Sequence, residues 1–242
     1  MSNRLHIGTR KGLFELARSN GVWEIVDVQF LGDPVSAVLA DPDGSVWAAL
    51  DLGHFGAKLW RRDRDGSWRE LAVPTFPPKL EDAGDDPHPW SLGKIWVLES
   101  GGAPGRLWAG TMPGGLFRSD DDGASWLLNE ALWHMPERRQ WAGVAGGEQP
   151  GINSVLIDPR NPYDIRIGVS TAGVWASTDT GARGGSSIAA CMPNTCRRSS
   201  VIIRSSRTST GWPAATRIPR SCGVSTTMES SARRTPGRIG AK

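Results

Sequence analysis

The 242-residue sequence contains one tyrosine and four histidines, and no apolar run near the roughly 18 residues a membrane span needs. A transmembrane protein is therefore excluded. The amino-terminal Met-Ser-Asn-Arg-Leu-His-Ile has no apolar signal core, so a cytoplasmic location is expected. His54, His88 and His134 stand far apart, without the close spacing of a zinc motif, and no metal site is expected. The glycine pairs at 101–102 and 114–115 are followed by neither Lys-Ser/Thr nor a helix. They make no phosphate loop, and no cofactor is expected. Sustained 3.6-residue periodicity is absent too; Leu127–Met135 suffices for one or two helical turns.

What is present divides the chain in two. Of the 28 Lys and Arg, 11 follow residue 182, against a single acid, Glu229, giving +10 there and −7 before it. Eleven of the 12 tryptophans precede residue 183, and Cys191, Cys196 and Cys222 all follow it. The modest overall +3 is thus an average of an acidic, Trp-rich front (1–182) and a basic, Ser/Arg-rich tail (183–242).

The front repeats one grammar: a short strand, a Gly-containing turn, a second strand, and a polar turn closing on Trp. It runs from His6 to Leu16 with Trp23, from Ser45 through Trp60 to Trp68, and from Arg106 through Ser119 to Trp126. A fourth unit spans Ile165 to Ser177. The closing tryptophans are 45 and 58 residues apart, a period that suits a four-stranded propeller blade. Asp41-Pro42-Asp43-Gly44 and Asp158-Pro159-Arg160-Asn161-Pro162 are turn chemistry expected before inner strands.

Ser119-Asp120-Asp121-Asp122-Gly123-Ala124-Ser125-Trp126 fits Ser-x-Asp-x-Gly-x-x-Trp. Asp121 can accept backbone N–H groups across the turn, Gly123 can take positive φ, and Trp126 can return over the blade. In this motif the chain resembles the sialidase-like Asp-box (BNR) repeat β-propeller proteins. A second box starts at Ser177, Asp179 and Gly181, and a degenerate one surrounds Asp63, Asp65, Gly66 and Trp68. The resemblance covers about residues 1–181. It implies an all-β fold, an incomplete propeller of about four Asp-box blades followed by a disordered or irregular tail.

The box that starts at Ser177 should end in Trp at 184, where the chain has Gly. Reading the tail's codons from their third base restores the pattern. Gly184 with the base before it allows the missing Trp. Met192–Arg198 allow HAEYMPP, Thr208–Trp212 allow QDVHRL, Pro213–Cys222 allow CHPNPEVLW, and Val224–Gly240 allow QHHNGIFRSTDAGQDW. The last string is a complete Asp box with its preceding strand, in register with the broken one. One shifted frame serves every segment, so the tail reads as out of frame, and the chain as it stands is expected to be inactive.

Two long connections carry the site candidates. Asp85-Asp86-Pro87-His88-Pro89-Trp90 precedes the strand at Lys94–Glu99, and Trp133–Trp141 runs on through Glu148, Gln149 and Pro150. Aromatic faces with Arg, His and carboxylate nearby suit a carbohydrate or another polar ligand. His88, Arg138 and Glu148 are candidate catalytic residues; Trp90, Trp133, His134, Trp141 and Gln149 are candidate ligand contacts. The first expectation is a ligand-binding or interaction scaffold for a small molecule, carbohydrate or protein. The alternative that the resemblance implies is a glycoside hydrolase. A sialidase, however, needs a Tyr nucleophile, and Tyr163 lies in Asn161-Pro162-Tyr163-Asp164, read here as a turn. The acidic front and the non-native basic tail argue against nucleic-acid or anionic-membrane partners.

Overall fold

The computed structural model describes residues 3–79, 86–143 and 149–179, and the backbone of 189–191. Their strands are arranged in four antiparallel sheets of consecutive strands. Sheet 1 holds β1 (Arg4–Thr9), β2 (Gly12–Ser19) and β3 (Val22–Gln29). Sheet 2 holds β4 (Val35–Ala40), β5 (Val46–Asp51), β6 (Ala57–Arg62) and β7 (Trp68–Leu71). Sheet 3 holds β8 (Lys94–Ser100), β9 (Leu107–Met112), β10 (Leu116–Ser119) and β11 (Leu127–Leu128). Sheet 4 holds β12 (Ile152–Asp158), β13 (Asn161–Val169), β14 (Gly173–Ser177) and β15 (Ala189–Cys191). The helix expected after Trp126 is a single turn, α1 (Glu130–Trp133). Asn129 Oδ1 caps it by accepting the Leu132 N–H at 3.0 Å.

The sheets stack like blades. Strands β4, β8 and β12 pack on one another, and each second strand, β5 or β9, packs on the first strand of the following sheet. The expected inner strands are corrected here. The Asp41–Gly44 and Asp158–Asn161 turns lead into β5 and β13, which are second strands; the innermost are β4 and β12. Periodicity marks strands but not their radius, and Val35–Ala40 lies before its turn without a Gly or Trp to flag it. Tyr163 is corrected as well: it sits in β13, not in a turn, and is more than half exposed.

Two cores result. Between sheets 2 and 3 lie Trp47, Leu59, Leu71, Leu98, Leu107 and Phe117. Between sheets 3 and 4 lie Trp108, Leu116, Val155, Ile165, Ile167 and Trp175. Strand β9 is buried on both faces, sending Leu107 and Ala109 to one core and Trp108 to the other. That is why Leu-Trp-Ala-Gly-Thr shows no polar alternation.

The Asp box is built from bonds spanning four residues or fewer. Asp121 Oδ1 accepts from Ser119 Oγ at 2.7 Å and from the Ser125 N–H at 2.9 Å; Oδ2 accepts from Ser125 Oγ at 2.6 Å. These donors hold the Asp121 carboxyl down to about 2. Ser119 Oγ accepts the Gly123 N–H at 2.8 Å, and Gly123 takes φ +90°. The box then clamps its neighbour. Trp126 Nε1 donates to Ala72 O, and Trp47 Nε1 donates back to Asp122 O, each at 3.0 Å. In the next box, Ser177 Oγ donates to Asp179 Oδ1 at 2.8 Å; Gly181 lies outside the described residues. The degenerate box uses a shorter Asx turn instead, Asp65 Oδ1 accepting the Ser67 N–H at 2.9 Å.

Sheets 1 and 2 are joined by a charge cluster around the buried Glu15. Glu15 accepts from Arg4 and from Arg62 Nη1, the latter at 2.6 Å, and His6 Nε2 lies 3.2 Å from Arg62 Nη2. Burial lowers the His6 pKa below its ordinary 6.5, with Arg62 and Arg4 adding to the shift and Glu15 opposing it. A native state that holds its proton less tightly than the unfolded chain loses stability as pH falls through 6.5 toward the lowered value. The urea midpoint is expected to fall between about pH 7.5 and about pH 5.5. His6→Gln should remove that part of the slope; an unchanged slope would show that His6 does not cause it.

Candidate functional site

Antiparallel alternation puts the loop after β7, the loop after β11 and the β9–β10 turn at one end of the sheets. The Asp boxes occupy the other. At the loop end the sequence signals converge on an acid to which sequence reasoning gives no role. Asp86 accepts the His88 N–H and Trp90 Nε1–H, each at 3.0 Å, and pairs with Arg138 across 52 residues of sequence. The spacing Asp-x-His-x-Trp was the available signal: an acid whose two oxygens can reach residues two and four positions on.

Burial would raise the Asp86 pKa, but the His88 N–H, Arg138 and Trp90 Nε1–H outweigh it and leave the carboxyl below its ordinary 3.8. Arg138 is as deeply buried as its partner. Its Nε donates to Trp133 O, and its guanidinium lies 3.7 Å from the centre of the Trp133 ring. This pair locks the two loops together, and the guanidinium is committed to protein partners.

The other candidates fall into two groups. Trp90 is half-buried, standing edge-on to the buried Trp133 at 5.5 Å and 5.9 Å from the exposed ring of His134. His88 is buried; its Nδ1 lies 3.2 Å from Gln149 Oε1, and its Nε2 has no partner among the described residues. Trp133 Nε1 is likewise unpartnered there. Trp141 stands apart, packed on Trp175 at 5.5 Å in the core between sheets 3 and 4. Glu148 lies outside the described residues. The structure thus brings together His88, Trp90, Trp133, His134, Arg138 and Gln149, and separates Trp141 from them.

No protein-family model matches the chain, and no curated relative does. Solved structures do. The GH74 xyloglucanase from Xanthomonas campestris is 20% identical, covering 74% of this chain and 26% of its own, with a TM-score of 0.49. YCF48 from Cyanidioschyzon merolae is 14% identical over 74% of this chain and 52% of its own, with a TM-score of 0.46. The extracellular domain of a putative one-component system from B. thetaiotaomicron is 16% identical over 72% of this chain and 19% of its own, with a TM-score of 0.45. The blade-like arrangement is read from the four antiparallel sheets of the chain itself. The chain spans about a quarter of the xyloglucanase and about half of YCF48. At these identities the likeness concerns fold alone, and a fold does not choose a ligand.

Proposed function

We propose that the loop end of this propeller is a carbohydrate-binding face, and that the chain is an interrupted form of a ligand-binding scaffold. The observation that carries the reading is the Trp90 indole, half-exposed and oriented through its N–H by Asp86. It stands beside the exposed His134, with Gln149, bonded to the buried His88, in the same cluster. A sugar presents apolar C–H faces and hydroxyls that both donate and accept. An indole face, an imidazole and an amide supply the matching partners.

Titration of a glycan panel, followed by tryptophan fluorescence and calorimetry, tests this. His134→Ala is expected to weaken binding about tenfold, or roughly 1.4 kcal/mol, with the unfolding midpoint unchanged. No saturable glycan, or binding indifferent to His134→Ala, would overturn the reading. Hydrolysis is less well supported. Glycoside cleavage uses two facing carboxyls, and the described cluster contributes one, Asp86, already bound to Arg138. Turnover of a glycoside, abolished by Glu148→Gln, would replace binding with catalysis.

The interruption is proposed from the sequence. A base lost or gained near codon 182 accounts for the broken second box and the Asp box in the shifted frame. Sequencing the coding DNA decides it: an open shifted frame carrying QHHNGIFRSTDAGQDW is expected, and stop codons there would overturn it.

A further inference from the structure

The first strands of sheets 2, 3 and 4 share one irregularity. Each pairs with its second strand through an extra residue. Ser36 falls between the Val35–Leu50 and Ala37–Ala49 pairs, Trp96 between Ile95–Thr111 and Val97–Gly110, and Asn153 between Ile152–Val169 and Ser154–Gly168. In each sheet the residue after the bulge meets a small one, Ala49, Gly110 or Gly168, so the three bulges are register equivalents. All fall within the first three residues of β4, β8 and β12, at the end of the sheets where the long connections enter. A bulge leaves its extra residue out of the ladder and re-aims that side chain.

Core packing does not set the identity of these residues. Around Trp96 the alternation is regular: Ile95 and Leu98 join the core with sheet 2, and Val97 packs against the core with sheet 4. Trp96 itself is half-buried. Its ring lies over Gly151, where a Cβ would stand 2.5 Å from Cε3, and Lys94 Nζ is 4.6 Å from the ring centre. Ser36, also half-buried, donates its hydroxyl to Ala49 O at 3.3 Å. Asn153 is exposed, with Oδ1 over Gly168, where a Cβ would stand 3.1 Å from it. One backbone device thus carries three chemistries: a hydroxyl, an indole and an amide. The bulges also adjoin the candidate site. The connection with Trp90 runs into β8, the one with Gln149 runs into β12, and the Trp96 ring rests two residues beyond Gln149.

We propose that Ser36, Trp96 and Asn153 form one row of ligand contacts along the inner edge of the loop end, and that this face takes an extended oligosaccharide laid across three sheets. The proposal rests on the carbohydrate reading above and deepens it from a sugar to a chain of sugars. Strands β4, β8 and β12 pack on one another in turn, so the row crosses three strands and is longer than one sugar ring. Along it, the Trp96 indole offers an apolar face to sugar C–H groups, and the Lys94 ammonium beside it donates to a hydroxyl. The Ser36 hydroxyl and the Asn153 amide each donate and accept. Different contacts at equivalent positions of successive sheets suit a ligand built of successive units.

Calorimetric titration of the 242-residue chain with ladders of one to six sugars, cut from cellulose, xylan and chitin, tests the proposal. The longest member of the ladder that binds is expected to bind about tenfold more tightly than its single sugar. Asn153→Ala should remove most of that gain and leave both the single-sugar affinity and the unfolding midpoint in place, because Asn153 is exposed. Trp96→Leu should act in the same direction. Equal affinity at every length, or a ladder indifferent to Asn153→Ala, overturns the row, while binding that stays sensitive to His134→Ala keeps the carbohydrate reading. Saturation by another glycan but by none of these ladders has the same meaning. No saturable glycan of any kind overturns both. An Asn153→Ala protein that weakens all lengths alike, or unfolds earlier, shows a structural role and overturns the row.

Discussion

Arg138→Met is expected to destabilise the described sheets by about 3–5 kcal/mol, the usual consequence of removing one partner from a buried ion pair. The Asp86 and Arg138 side chains are 1% and 3% exposed, so water cannot take over the lost contacts. Met keeps much of the aliphatic bulk but none of the donors. Asp86 would retain the His88 and Trp90 N–H groups, each at 3.0 Å, yet its charge would stay buried without a counter-ion. Trp133 would lose the cation over its ring, and its carbonyl the Nε donor. For a chain of this length the melting temperature should fall by roughly 6–20 °C. Asp86→Asn added to Arg138→Met should recover part of the loss, because a neutral amide is cheaper to leave in that site than an unpaired carboxylate. An Arg138→Met protein as stable as the parent would show that the pair is not structural. Arg138 would then return to the set of groups available for chemistry.

That expectation reverses the role the sequence suggested for Arg138, and the reason is separation along the chain. The Asp box was legible because it is local: Ser119 to Trp126 contains every donor and acceptor that shapes the turn, and Gly123 announces its positive φ. Strand identity was legible from apolar alternation and from turns such as Asp41–Gly44. The Asp86–Arg138 pair spans 52 residues, and no local pattern says which of several arginines an acid will meet. Trp141 and Trp90 show the same limit. Both sit in Gly- and Pro-rich loops of similar composition, yet one packs on Trp175 in the core and the other stands half-exposed beside His134. Only the direction in which a sheet end points separates a core tryptophan from a surface one. The charge division was informative in a different way. It assigned the basic excess to the tail, and that left the −7 front to be judged as a folding unit in its own right.

Phe117→Ala and Phe14→Ala are expected to differ by several kcal/mol in the 242-residue chain, although the two residues hold the same position in the repeat. Phe14 faces Ile7 across β1 and β2; Phe117 faces Ala109 across β9 and β10. Phe117 is fully buried, and it meets Phe76 edge-on with 5.0 Å between ring centres. Truncating it removes the ring's transfer energy and leaves a cavity between sheets 2 and 3, which together cost about 3–5 kcal/mol. Phe14 shares its face of sheet 1 with the exposed Leu5 and Ile7, so truncation leaves an indentation open to water instead of a void. The cost there should stay near about 1 kcal/mol, set by partial burial at about 25 cal/mol per Å² of apolar surface. Urea unfolding followed by tryptophan fluorescence reads both substitutions on one scale. A Phe14→Ala cost already at about 3–5 kcal/mol would mean that this face is covered.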